Sequence, residues 1–350
     1  MTRYVSRYNT RYAKAGMQLA NPIISSKGAI IAQENSILTE SLIERLVAMG
    51  INFVDVFEIS QNNAGHQEAE KQKRLFDTHS EITTTVKNIF DRARYFKTVP
   101  LDELNELAAS SIKTLLDEPG VINQLSMIQQ ADSYTFTHSV NVAVICGLIW
   151  RWLGNTETSE MVLAGLLHDF GKTQIPLEIL NKPDKLSETE MQIMRQHPIL
   201  GLEMCKNDQR IPECVLAGII EHHERLDGSG YPFGLTEERI SPFGKIVAIA
   251  DTYDAMTSNR VYRQAVTPFS VLTELFSEMF GKLDAKACTS VIDNLKETLI
   301  GYNVRLSDGT IAKVIYIDRS RQFKPLVETE NGRYLNLECT EFEIAEVISR

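Results

Sequence analysis

Hydrophobic positions change period several times along the chain. Two short apolar stretches, 17–24 and 29–32, flank the polar turn Ser25-Ser26-Lys27-Gly28, a hairpin pattern. Ser41 and Glu44 then have the spacing of a capping box, Leu42, Ile43, Leu46 and Val47 form an apolar stripe, and Gly50 ends it. Residues 51–57 alternate as a strand does. Together these predict a small α+β domain over 1–60. A polar stretch at 60–65 reads as a linker. From 67 to 117 apolar residues recur at helical spacing (Val86, Ile89, Phe90, then Leu101, Leu104, Leu107), predicting two or three helices broken near Pro100.

From about 119 to 300 the pattern is helical throughout. Pro176 sits at a first-turn position, Ser187 and Glu190 form a second capping box, Thr267-Pro268 opens another helix, and 245–256 is a strongly apolar one. Residues 301–350 switch to strand periodicity at 303–306, 312–317, 326–328 and 334–337, with turns at Ser307-Asp308-Gly309 and Gly332. The chain is therefore expected to be mainly α. An α+β domain (1–60) and a helical linker (61–118) precede an all-helical domain (119–300) and a β-rich segment (301–350).

Composition narrows the class. The 350 residues are 43% hydrophobic and 23% charged, ordinary for soluble globular protein. The net charge of −10 argues against a basic footprint for duplex DNA, so an anionic ligand needs metals or a local cation cluster. Five scattered cysteines without a CxxC pair point to reduced thiols and the cytoplasm. The basic N-terminal stretch lacks the apolar core of a signal peptide, and the longest apolar run, 140–150, is too short to span a bilayer. The N-terminal region is expected to hold no receiver domain.

The chemistry concentrates in the helical half. Five of the seven histidines, His138, His168, His197, His222 and His223, lie there. His168 is followed at once by Asp169, and Asp251 sits inside an apolar helix, where an unpartnered charge is costly to bury. A lone histidine or a lone Asp in such a place is ordinarily a hydrogen-bonded core residue, but that reading leaves the clustering unexplained. Imidazole with carboxylate is the ligand set of iron, manganese or zinc. Seven such groups exceed one tetrahedral zinc and suit two octahedral ions sharing a carboxylate.

The segments His168-Asp169-Phe170-Gly171-Lys172 and HHERLDGSGYP (222–232) resemble the HD-GYP family of HD-domain metal phosphohydrolases. The flanks YTFTHSVNVAV around His138 and ADTYDAMTSNRVYR from Ala250 agree, and the resemblance covers roughly 115–300. It implies an all-helical fold and hydrolysis of cyclic di-GMP to pGpG, GMP or both at an iron or manganese centre. It places His138, His168, Asp169, His197, His222, His223 and Asp251 at the metal-ligand positions, with Asp169 bridging. One ion would then be completed by His138, His168 and Asp251, the other by His197, His222 and His223. Lys172 matches the active-site lysine, and Arg260 and Arg263 match positions that hold phosphate and guanine. Arg225 and Tyr231 of the signature segment join the expected substrate-binding set without a specific role. Some members carry a glutamate for a third metal where Tyr134 stands here, and Asp132 is wrongly spaced to replace it, which predicts a two-metal site.

Two other functions remain open at this level: a 3′,3′-cyclic GMP-AMP phosphodiesterase, and a catalytically silent nucleotide-sensing or docking module. The expected partners are a cyclic dinucleotide, a second copy through 67–118 and a GGDEF-type cyclase. Those same helices equally fit simple packing on the next domain.

Overall fold

A computed structural model describes residues 3–10, 13–24, 30–51, 53–59, 63–118, 121–125, 134–258, 267–318 and 323–349. The chain divides into two units, Met1–Glu81 with Met127–Tyr134, and Ile82–Ser126 with Thr135–Arg350.

The first unit holds β1 (Arg3–Asn9), β2 (Gln18–Leu19), β3 (Ile23–Ile24), β4 (Ile30–Ala32), α1 (Glu40–Ala48) and β5 (Phe53–Ile59). Its antiparallel sheet runs β1-β5-β2, with Val5 opposite Phe57 and Leu19 opposite Val56. Leu19, Leu38, Leu46, Val54 and Val56 form its core. Residues 17–24 are not one hairpin arm: Gln18 and Leu19 pair with β5, and only Ile23–Ile24 pairs with β4. Pro22, which has no N–H, interrupts the ladder between them. The expected turn at 25–28 lies outside the described residues. The cap of α1 is Thr39, whose Oγ1 accepts from Leu42 N at 3.2 Å; Ser41 lies inside the first turn. Strand β1 went unread because its arginines and tyrosines do not mark a buried face.

Helix α2 (Asn63–Phe96) starts inside the segment read as linker and ends before the expected break, where Lys97 takes φ 52° and Pro100 precedes α3 (Leu101–Glu106). A π-helical turn, Leu107–Ser111, joins α3 to α4 (Ile112–Leu116), and α5 (Val121–Leu125) follows. Next come α6 (Tyr134–Trp152) and α7 (Ser159–Leu167), a 3-10 turn (Phe170–Gln174), α8 (Leu177–Leu180), α9 (Glu188–Met194), α10 (His197–Cys205), α11 (Glu213–Glu221) and α12 (Pro242–Thr257). The helical set ends with α13 (Pro268–Glu278) and α14 (Ala285–Leu299). The capping box at Ser187 and the Thr267 cap form as read.

Helices α6, α7 and α12 are apolar nearly all round, so they occupy the centre. Backbones approach closely there: a Cβ on Gly165 of α7 would stand 2.6 Å from Ala143 Cα of α6, and one on Gly218 of α11 would stand 2.9 Å from Ala164 Cβ. This packing brings the ends of α7 and α11 and the faces of α6 and α12 to one place.

The C-terminal strands β6 (Asn303–Leu306), β7 (Ile311–Ile317), β8 (Pro325–Thr329), β9 (Tyr334–Asn336) and β10 (Ile344–Ser349) form an antiparallel sheet in the order β10-β6-β7-β8-β9. Strand β10, unread in the sequence, returns to pair with β6. Phe323 packs edge-on against Phe276 of α13 at 5.5 Å between centroids. Among the described residues no helix is long and apolar enough to cross a membrane.

Candidate metal centre

The seven expected ligands arrive on six local features of the fold. His138 opens the second turn of α6, His168 is the C-cap of α7, and Asp169 starts the 3-10 turn. His197 begins α10, His222 caps the C-terminus of α11 with His223 next to it, and Asp251 lies on α12. The fold brings all seven together. His138, His168, Asp169, His197 and His222 are at most 3% exposed. His223 and Asp251 are the members solvent reaches, with side chains 21% and 14% exposed.

Asp169 stands at the centre. Its Oδ2 lies 3.4 Å from His168 Nε2 and 3.6 Å from His138 Nε2, while its Oδ1 lies 3.2 Å from His197 Nε2 and 4.0 Å from His222 Nε2. The two oxygens thus face two separate groups of imidazoles. Asp251 also touches both sides: Oδ1 is 3.1 Å from His138 Nε2 and Oδ2 is 3.8 Å from His223 Nδ1. Two clusters, His138–His168–Asp169 and His197–His222–His223, have donor atoms close enough to hold a metal ion.

The hydrogen bonds behind the rings decide their tautomers. The Nδ1–H groups of His168, His197 and His222 donate to the carbonyls of Gly165 (2.6 Å), Met194 (2.9 Å) and Ile219 (2.8 Å). His138 Nδ1 instead meets the Asp254 carboxylate at 2.7 Å. Each Nε2 lone pair is thereby aimed inward, and the Nε2 atoms meet in pairs, 3.2 Å for His138 with His168 and 3.1 Å for His197 with His222. Facing lone pairs in a buried site repel unless a proton or a cation lies between them. With two carboxylates beside them, these donors fit imidazole- and carboxylate-binding divalent ions, and the carbonyls and Asp254 are the outer partners such ligands have.

Electrostatics follow from the same contacts. Burial opposes ionisation of Asp169, but Lys172 and His168 outweigh it and hold the carboxyl well below its usual range. Burial likewise opposes the charge on Asp251, and His138 and His223 hold that carboxyl low. For His138, burial works against a proton, yet Asp251 and Asp254 raise it to about 9. His222 is pushed well down by burial and by the neighbouring histidines, and His223 is lowered to about 3, chiefly by burial.

Lys172 Nζ lies 2.6 Å from Asp169 Oδ2 at the rim, with its side chain 25% exposed. Tyr231 stacks on His223, with centroids 4.6 Å apart and planes 25° apart, and burial pushes its hydroxyl up. The loop bearing Tyr231 is held from inside by buried Glu224, which accepts from Phe233 N at 2.7 Å and Leu235 N at 2.9 Å. A Cβ on Gly230 would lie 2.5 Å from Glu224 Cα, so only glycine fits there. Arg225 turns back on its own segment, its Nη1 donating to His222 O at 3.2 Å and Glu224 O at 2.8 Å. Arg260 and Arg263 lie outside the described residues, as do Asp132 and the side chain of Tyr134.

Three contributors escaped sequence reasoning. Asp254 holds His138 and also accepts from Asn141 Nδ2 at 2.7 Å. Its signal was available: it is a second acid in the apolar helix of Asp251. Glu224 gave no signal beside the histidine pair. Arg195 lies with its guanidinium 5.2 Å from the Tyr231 ring centroid, a stacking partner whose distance in sequence hid it.

Residues 127–286 match the family model described as HD domain, a family that binds divalent metals. A cyclic di-GMP phosphodiesterase of Pseudomonas aeruginosa, PA4108, is 32% identical over 238 residues, 67% of this chain and 57% of that protein. A cyclic di-GMP phosphodiesterase of Thermotoga maritima is 40% identical over 146 residues, 41% of this chain and 39% of that one. The 3'3'-cGAMP-specific phosphodiesterase 1 of Vibrio cholerae is 36% identical over 178 residues, 49% of this chain and 40% of that one. The chain thus spans about half the length of these curated relatives. Among solved structures, Bd1817, an HDG"Y"P protein from Bdellovibrio bacteriovorus, superposes with a TM-score of 0.52 at 16% identity, covering 84% of this chain and all of that one, a likeness of fold.

Proposed function

From the premise that this chain belongs to the HD-GYP family of HD domains, we propose that it is a metal-dependent phosphodiesterase that opens cyclic di-GMP to pGpG, GMP or both. The observation that carries this reading is the position of Asp169, one oxygen toward each group of histidines. His138, His168 and Asp251 would hold one divalent ion and His197, His222 and His223 the other, with Asp169 between them. Iron or manganese suits this donor set. Two such ions would supply Lewis acidity and an activated water for in-line attack on phosphorus.

The chain's own residues do the rest. Outer hydrogen bonds orient the rings of His138, His168, His197 and His222, so little reorganisation is needed when substrate arrives. Lys172 places a cation at the rim beside Asp169, where it offsets charge on the phosphoryl oxygens. With a net charge of −10, the chain attracts a dianion only locally, through Lys172, Arg195 and, as the family pattern suggests, Arg260 and Arg263. Tyr231, in ring contact with His223 and Arg195, lines the mouth where a purine base would lie.

Likeness to a cGAMP-specific relative favours 3′,3′-cyclic GMP-AMP as the second substrate to test. The experiment is turnover of both dinucleotides, side by side, by manganese-loaded protein with chromatographic analysis of products. Faster hydrolysis of cyclic di-GMP supports the proposal; preference for cyclic GMP-AMP moves it to the second reading. Turnover of neither by metal-loaded protein leaves a nucleotide-sensing module. Three tightly bound ions per chain would contradict the two-metal site. We also propose a cytoplasmic enzyme that dimerises through 67–118 and pairs with a GGDEF-type cyclase; a monomer by gel filtration would remove the dimer.

A further inference from the structure

The 3-10 turn that carries Lys172 is short, and five residues of this geometry do not hold a position by themselves. Two neighbours grip it. On one side Gly171 presses against α10, where a Cβ would stand 2.0 Å from His197 O and 2.4 Å from Gly201 N. On the other side lies the last part of α2. Phe90 and Arg94 are four residues apart and share a helix face. The Phe90 ring meets Phe170 edge-on at 5.0 Å and Phe136 of α6 at 5.8 Å. The Arg94 guanidinium donates from Nη1 to Ile175 O at 2.8 Å and from Nη2 to Lys172 O at 3.0 Å.

These are the carbonyls the turn leaves poorly served. Lys172 O otherwise takes only a 3.2 Å bond from Ile175 N, and Pro176, next after Ile175, has no N–H to offer. A planar fork with fixed donors suits two carbonyls three residues apart in a way that a lysine does not. Arg94 commits one donor of each Nη group to this backbone.

We propose that Arg94, backed by Phe90, is a positioning residue for Lys172. It locks the turn so that the ammonium stays 2.6 Å from the Asp169 carboxylate. This rests on the phosphodiesterase reading only for its catalytic consequence; the anchoring of the turn stands independently of it.

The test uses the full chain with Arg94→Met, Arg94→Lys, Lys172→Ala and the Arg94→Met/Lys172→Ala double variant. Kinetics with cyclic di-GMP and hydrogen exchange of the 170–176 segment are measured together. Arg94→Met should lower kcat about 10- to 100-fold, the usual penalty for misplacing a catalytic group by about an ångström, with KM and metal content little changed. Arg94→Lys should recover part of the loss. In the Lys172→Ala background Arg94→Met should change kcat less than about twofold, since nothing is left to position. Exchange over 170–176 should quicken in Arg94→Met whether or not the protein is active. Fully multiplicative losses in the double variant, or unchanged exchange in Arg94→Met, would overturn the proposal. A wild-type chain that hydrolyses no dinucleotide would sink the function above, while the exchange measurement still decides the anchoring.

Discussion

Asp254 offers a sharp perturbation because it touches the centre only through another residue. Its Oδ2 meets His138 Nδ1 at 2.7 Å and its Oδ1 accepts from Asn141 Nδ2 at 2.7 Å, both donors lying on α6. The carboxylate and both donors are nearly fully buried. Asp254→Ala removes the acceptor these two buried donors share with Ser258 Oγ, which donates to Oδ2 at 3.2 Å, at a cost of roughly 1–3 kcal/mol for each buried donor left without it. Folding stability should therefore fall by about 2–6 kcal/mol. His138 also loses the partner that fixes its tautomer, and loss of such an outer hydrogen bond weakens metal binding about 10- to 100-fold, or ~1.4–2.7 kcal/mol. Asp254→Asn keeps an acceptor for His138 and should recover most of the stability and part of the affinity. The assay is competition for manganese against a fluorescent chelator, with thermal melts of metal-free protein alongside. An Asp254→Ala protein that melts with the wild type and binds metal equally well would refute the claim that Asp254 aims His138.

Other outcomes follow from the same geometry. Asp169→Ala removes the carboxylate shared by both histidine groups, so bound metal measured by elemental analysis should fall and turnover should vanish. Gly230→Ala places a methyl 2.5 Å from backbone atoms of the 223–225 segment, and the forced shift of the Tyr231 loop should cost about 1–3 kcal/mol and raise KM. For metal-free protein, melting temperature should peak near neutrality. Below the ordinary histidine value of about 6.5, the unfolded chain takes protons that His222 and His223 refuse in the fold, so stability drops as pH falls toward 3. His138, raised to about 9, stabilises fully below about pH 6.5, and that contribution is lost as pH climbs through 9. A melting temperature that rises steadily from pH 7 down to 4 would count against these assignments.

The helical half was legible because its signals are local and chemical. His168-Asp169 and the 222/223 pair sit at helix ends, and Asp251 interrupts an apolar helix, so each marks a place where a polar group must be partnered. Pairing across distance left weaker traces. Nothing near Thr39 distinguishes it from Ser41 as a cap until the start of α1 is known, and β1 and β10 join their sheets through partners about fifty and forty residues away. Arg94 and Arg195 act on segments 78 and 36 residues further along, where a lone arginine carries no sign of its target.

The central claim is that seven dispersed side chains form one site for two divalent ions divided by Asp169. Metal content per chain, measured by mass spectrometry of manganese-loaded protein before and after His168→Ala and His197→Ala, tests it most directly. The account predicts two ions for the wild type and a loss in either variant, because each alters a different group around the shared carboxylate. Undiminished loading in both variants, or no tightly held ion in the wild type, would contradict it.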